Sequence, residues 1–262
     1  MAGEFDSKVV LITGASKGIG LACAAAFAAQ GARVVGVSRS GDNLSRAQAE
    51  LAQRGLNMCA THAVDLTDAR AAVDMVSQVE SETGPIAVLI NSAGAARRFA
   101  PEELSAEAFQ QGMQAKYFTY MNVMEPAVRH MVSRNSGAVV NIIGQGGRQA
   151  GVMHIAGGSA NAALMLASVG YARAWAARGV RVNAINPGLT RTSRVDEGLA
   201  ASARASGRDK QALLAEELAR IPMGRMAEPN EIAEVALFLA SSRASYVSGA
   251  IIPMDGCATS VI

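Results

Sequence analysis

Short, almost purely apolar runs alternate along this chain with longer stretches in which apolar and polar residues mix. The runs predict strands at Lys8–Ile12, Arg33–Val37, Asn57–His62, Ile86–Ile90, Ala138–Ile143, Val180–Ile185 and Ala250–Pro253. Continuous rather than alternating hydrophobicity is the mark of parallel strands covered on both faces. The stretches between them predict helices at Ile19–Gln30, Asn43–Arg54, Asp68–Thr83, Ser105–Arg134, Gly157–Arg178 and Glu228–Ser241. Local punctuation agrees, with Gly31 closing the first helix, Thr67 as N-cap ahead of Asp68, and Pro229 in a first turn. The order predicts an α/β fold: one domain, residues 1–262, built on a doubly wound parallel sheet of about seven strands with helices on both faces. One interval breaks the rhythm. From Gly188 to Met223 there is no strand pattern, only a helix at Lys210–Arg220. An insertion after a strand's carboxyl end lies over the ligand crevice of such a sheet, so this one is expected to be a substrate lid.

Composition narrows the function classes. Half of the 262 residues are hydrophobic and 18% are charged, which excludes disorder as the main state. Lys and Arg number 24 against 22 Asp and Glu, with no basic stripe, so nucleic acid is not an expected partner. Cys23, Cys59 and Cys257 are scattered, which fits neither a disulfide framework nor a metal site. No run reaches the roughly 18 apolar residues of a membrane span, and the first residues lack the basic-then-apolar order of a leader. A cytoplasmic protein acting on a small molecule, without membrane or metal, is the expectation.

The first strand leads directly into Thr13-Gly14-Ala15-Ser16-Lys17-Gly18-Ile19-Gly20 and then a helix. Glycines there allow a tight turn and bring backbone N–H groups close to a pyrophosphate at the positive end of the helix. At the end of the second strand, where an NAD site wants a carboxylate, stands Ser38-Arg39. Arg39 and Lys17 together fit a 2′-phosphate, so NADP(H) is expected over NAD(H), although Asp42 is near enough to keep NAD(H) open.

The spacing T-G-x-x-x-G-x-G resembles that of the short-chain dehydrogenase/reductase family, particularly its ketoacyl-reductase-like branch, and the resemblance runs nearly the whole chain. Asp65-Leu66 resembles the adenine contact of that Rossmann-type family, and Asn91-Ser92-Ala93-Gly94 its N-N-A-G turn. Arg181-Val182-Asn183 through Pro187-Gly188, followed by Thr192, resembles the segment that holds the nicotinamide end. The resemblance implies a homo-oligomer, a tetramer or dimer, with small residues on Gly157–Arg178 (Ala162, Ala163, Ala167, Ala174) permitting close helix approach.

The same resemblance implies a Ser, a Tyr-x-x-x-Lys pair and an Asn that supply a proton as hydride reaches a carbonyl carbon. At those positions this chain carries Gly144, Gly157, Asn161 and Gln114. Glycine has neither a proton nor a charge to offer. His154, three residues before Gly157 and seven before Asn161, is then the candidate proton donor, because imidazole titrates in the useful range. Asn161 is expected to hold the nicotinamide ribose, and Gln114 and Gln145 to orient a substrate oxygen or water. Arg148 offers a cation to an anionic substrate; Tyr117 is a weaker candidate donor, and Tyr171 lies too far along its helix to act. Two readings follow: an oxidoreductase with a rearranged proton donor acting on a carbonyl, alcohol or enoyl substrate, or an inactive nucleotide-binding module.

Overall fold

A computed structural model describes residues 3–94 and 96–259. Seven strands form a single parallel sheet: β1 (Val9–Thr13), β2 (Arg33–Ser38), β3 (Ala60–Ala63), β4 (Ile86–Asn91), β5 (Gly137–Ile142), β6 (Val180–Pro187) and β7 (Ile251–Met254). Their order across the sheet is β3-β2-β1-β4-β5-β6-β7. The central strands are Val- and Ile-rich and buried on both faces, as their unbroken apolar runs demand.

Helices cover both faces. On one, α1 (Gly18–Ala29), α2 (Gly41–Gln53) and α9 (Pro229–Ala240) bury Phe27, Leu51 and Leu239 against Val10, Ile12 and Val140. On the other, α3 (Ala69–Gln78), α5 (Thr119–Ser133) and α6 (Ile155–Trp175) bury Val76, Met124 and Ala172 against Leu11, Leu89 and Val182. With its flanking turns, α6 is apolar and long enough to cross a membrane, but Ala160, Leu164, Met165 and Ala172 on it are buried inside the protein. Its hydrophobicity serves the core.

Several elements depart from expectation for local reasons. The N-cap of α3 is Asp68 rather than Thr67; its carboxylate accepts from the N–H groups of Arg70 and Ala71 at 2.9 and 3.1 Å. The single helix expected at Ser105–Arg134 is divided into α4 (Ala106–Gly112), a π-turn at Met113–Phe118, and α5. Within the π-turn the Thr119 hydroxyl donates to Gln114 O, across five residues. The interval 188–223 contains two helices, α7 (Ser193–Ser206) and α8 (Lys210–Ala219), of which only the second was expected.

The carboxyl edge of the sheet is fixed by polar groups inside the core. The Thr13 hydroxyl donates to Asn91 Oδ1 (3.4 Å), Asn91 donates to Asn141 Oδ1 (3.0 Å), and Asn141 donates to the Ser168 hydroxyl on α6 (2.9 Å). All four side chains are buried. Replacing Asn141 by Ala leaves the buried Asn91 amide without its acceptor, while the Ser168 hydroxyl still donates to Leu164 O; such a loss costs about 1–3 kcal/mol. Urea unfolding of Asn141→Ala should show a midpoint clearly below that of the parent chain.

Candidate active site

Three turns meet at the carboxyl ends of β1, β4 and β6. After β1 the chain passes through Gly14 with φ +69°, a left-handed conformation that only glycine adopts cheaply. A side chain at Gly14 would lie 2.9 Å from Ser92 O, and one at Gly20 only 2.2 Å from Gly14 O. Ser16 and Ile19 are half-buried in this turn, and Lys17 is exposed at the mouth of α1. Among the described residues no side chain caps α1, and its first turn carries no acidic residue. Its N–H groups and positive dipole end are therefore free to receive an anion. The cradle fits a dinucleotide pyrophosphate.

The neighbouring turns are tied to this one. The Thr13 hydroxyl accepts from the N–H groups of Ser92 and Ala93 at 3.0 and 3.1 Å. Arg194 on α7 donates to Gly94 O at 3.1 Å, Lys17 Nζ lies 3.6 Å from Glu197 Oε1, and Thr192 packs against Gly18. Gly188, just past Pro187, donates its N–H to Met254 O at 2.9 Å. In the loop after β3, hydrogen bonds from the N–H and hydroxyl of Thr67 lower the Asp65 pKa, with a smaller contribution from the charge of Arg39. Leu66 beside it is buried, and its carbonyl accepts from Asn122 at 3.0 Å.

At the opposite end of the crevice, His154 projects from a short turn ahead of α6. A Cβ built on Gly157 would lie 2.1 Å from His154 Cε1 and 2.7 Å from each ring nitrogen. The imidazole thus occupies the space that any side chain at 157 would claim. Its Nδ1 is buried without a hydrogen-bond partner among the described residues. Burial lowers its pKa, and the positive charges of Arg98, Lys116 and Arg194 lower it further, in that order. Beside it, Gly144 holds φ +128°, and its carbonyl accepts from the buried Asn161 amide at 3.4 Å. Gln145 donates to Asp255 Oδ2 at 2.6 Å, leaving its own Oε1 buried and unpaired among the described residues.

Comparison with known proteins decides the affiliation. The family model described as enoyl-(acyl carrier protein) reductase matches residues 14–259. Galactitol 2-dehydrogenase (L-tagatose-forming) of Cereibacter sphaeroides is 36% identical over 97% of this chain and 95% of its own. Cis-4-hydroxycyclohexanecarboxylate dehydrogenase of Sinomonas cyclohexanicum is 36% identical over the full length of both chains. The chain belongs to the short-chain dehydrogenase/reductase family. Solved family structures superpose closely. L-sorbose reductase from Gluconobacter frateurii, complexed with NADPH and L-sorbose, gives a TM-score of 0.90 at 29% identity, covering both chains completely. An NAD+-bound xylitol dehydrogenase gives 0.90 at 26%, covering 95% of this chain and 98% of its own. An NADPH-bound short-chain oxidoreductase from Pseudomonas aeruginosa, described as containing an atypical catalytic centre, gives 0.87 at 29%, covering 98% of this chain and all of its own.

Within this short-chain dehydrogenase/reductase fold, some candidate residues gather and others are engaged elsewhere. His154, Asn161, Gly144 and Gly157 come together around one volume. Gln114 is exposed and donates to Thr67 O at 2.8 Å, so it braces the loop after β3. Two residues further along the π-turn, Lys116 is the side chain that turns inward: it is 7% exposed, and its ammonium donates to Tyr120 Oη at 2.8 Å and Ile142 O at 3.3 Å. The irregular turn changes which residues face inward, and periodicity alone did not show it. Tyr117 lies in a surface groove against Phe118, 5.3 Å between ring centroids. Arg148 is exposed and is not among the cations that act on His154.

Burial, and secondarily the Arg194 charge, brings the Lys116 pKa down to about 7. Its folded pKa is below its unfolded one, so the unfolded chain binds more protons above that point and stability rises with pH there. Below it the buried charge is present in full. Lys116→Met should therefore raise the urea midpoint more at about pH 6 than at about pH 9. Equal gains at both would show that no charge is buried there.

Proposed function

We propose that this chain is an NADP(H)-dependent oxidoreductase that interconverts an alcohol and its carbonyl compound, with His154 moving the proton. The observation that carries this reading is the His154 ring in the volume left open by Gly157, with an unpaired buried nitrogen. Gly14, Ser16, Lys17, Gly18, Ile19 and Gly20 would hold the pyrophosphate, and Asp65 and Leu66 the adenine. Asn91, Ala93, Gly94, Asn161, Pro187, Gly188 and Thr192 would line the nicotinamide half. When bound, the dinucleotide exchanges a hydride with the substrate carbon. The chain's task is to manage the proton on the substrate oxygen. His154, with its depressed pKa, is neutral at neutral pH and ready to take the hydroxyl proton as an alcohol is oxidised. In the reverse direction the imidazolium returns that proton to the developing alkoxide. Asn161 orients without supplying charge.

Preference for NADP(H) is supported by Ser38 in place of a carboxylate at the end of β2, and by the exposed cations Arg39 and Lys17 at that mouth. Lid action by 188–223 is supported by the contacts of α7 with the loops after β1 and β4. A homo-oligomer, dimer or tetramer, is supported by exposed apolar side chains on neighbouring helices, Phe109, Phe118 and Leu166, the last 76% exposed. The unpaired, exposed Cys59 and Cys257 fit a reducing, cytoplasmic setting.

The test is a panel of polyols, cyclic alcohols, ketones and enoyl thioesters, with turnover followed by nicotinamide absorbance. Cis-4-hydroxycyclohexanecarboxylate, the corresponding 4-oxo acid, galactitol and L-tagatose belong in it because of the compounds named for the relatives. His154→Ala should lower kcat by about a hundredfold or more while nucleotide affinity stays put. Tight NADPH binding with no turnover on any member would instead make the chain an inactive nucleotide-binding module. Arg39→Ala should weaken NADPH by about tenfold and leave NADH unchanged, read by fluorescence titration. Light scattering should give at least a dimer mass, reduced towards the monomer in Leu166→Glu.

A further inference from the structure

Three cations from three separate segments, Arg98, Lys116 and Arg194, add through their charge to the lowering of the His154 pKa by burial. Arg98 comes from the loop after β4, with its guanidinium against the backbone of α7: a Cβ on Gly198 would lie 3.3 Å from Arg98 Cζ. Arg194 comes from α7 itself and has donors left after its one bond to Gly94 O. Lys116 comes from the π-turn beneath. The loop bearing Arg98 is attached to the histidine's own turn by Phe99 N–H donating to Met153 O at 3.2 Å. None of the three cations takes part in an ion pair among the described residues. The lid's carboxylates are committed elsewhere, Asp196 to Lys210 at 2.8 Å and Glu197 to Lys17, while Asp255 accepts from Gln145. Arg97, by contrast, stacks on Phe99, 4.9 Å from the ring centroid.

Like charges gathered without a counter-ion repel one another, and the desolvated one among them, Lys116, is the most costly. An anion placed among them relieves all three at once, and Arg supplies forked donors suited to a carboxylate. We propose that Arg98 and Arg194, backed by Lys116, form a subsite for a carboxylate carried by the substrate, next to the carbon–oxygen group that faces His154. The inference rests on the oxidoreductase reading and deepens it: the preferred substrates are hydroxy acids and oxo acids rather than neutral polyols. The anion also favours the imidazolium that forms when His154 takes a proton, so recognition and acid–base chemistry share one field.

The experiment uses the full chain, loaded with NADP+ for the binding arm and supplied with NADPH for the turnover arm. In the first, calorimetry compares non-reacting cyclohexanecarboxylate and benzoate with their amides, in the parent chain and in the doubly substituted Arg98→Ala, Arg194→Ala chain. The acids should bind at least tenfold more tightly than the amides, and the double substitution should erase the difference. Both arginines are exposed, so the fold should be retained, which circular dichroism checks. In the second arm, KM for 4-oxocyclohexanecarboxylate should rise about a hundredfold in the double variant, while KM for its methyl ester moves less than twofold. Acids that bind no better than amides overturn the subsite. So does a double variant whose NADPH affinity falls tenfold without any acid present, since the cations would then serve the cofactor's pyrophosphate. Acid binding that follows the prediction without turnover of any panel member leaves the subsite standing and removes the oxidoreductase reading.

Discussion

Asn91 and Asn141 face each other in register at the ends of the two central strands, and every part of the crevice is hung from that pair. On one side Asn91 meets the Thr13 hydroxyl, which also receives two N–H groups of the turn after β4. On the other, Asn141 meets Ser168 on the helix that begins beside His154 and carries Asn161. Parallel strands leave their carboxyl ends as the natural rim of a site, but a rim made only of loops would be loose. Buried side-chain hydrogen bonds set the distance from the glycine turn to the start of α6, because their polar groups are desolvated and depend on one another.

The chemistry at the far end comes from subtraction. Gly157 has no side chain, and its absence admits the imidazole three residues earlier in the chain. Gly144 adopts a backbone conformation closed to most residues and offers its carbonyl to Asn161. What fills the space is an imidazole held neutral by burial and by surrounding positive charge. On the proposed oxidoreductase reading, such an imidazole is the base that takes the proton of an alcohol.

Much of this architecture was legible in the sequence. All seven strands lie within a few residues of their apolar runs, because parallel strands buried on both faces must be continuously hydrophobic. The glycine turn was equally readable, since no other residue tolerates the approach of Gly20 to the backbone of Gly14. His154 was reachable by counting along a helix. Lys116 was not: it sits in a π-turn, where the three-four periodicity that assigns residues to faces does not apply, so attention fell on Gln114, which turns outward to Thr67. Arg98 and Arg194 were also invisible as a pair, because they lie almost a hundred residues apart and meet only when α7 folds over the loop after β4. The N-cap moved from Thr67 to Asp68 for a simpler reason: either oxygen-bearing side chain can cap, and the turn made by Asp65 claims Thr67 first.

Glu197 reaches from α7 to Lys17 at the entrance of the glycine turn. Both side chains are mostly in water, so the pair contributes little to stability, and salt in the medium weakens it further. Its carboxylate nevertheless stands as a placeholder where Lys17 is expected to grip a phosphate. A phosphate bound at Lys17 would compete with Glu197 for that ammonium, while Arg194 still ties the first turn of α7 to Gly94 O.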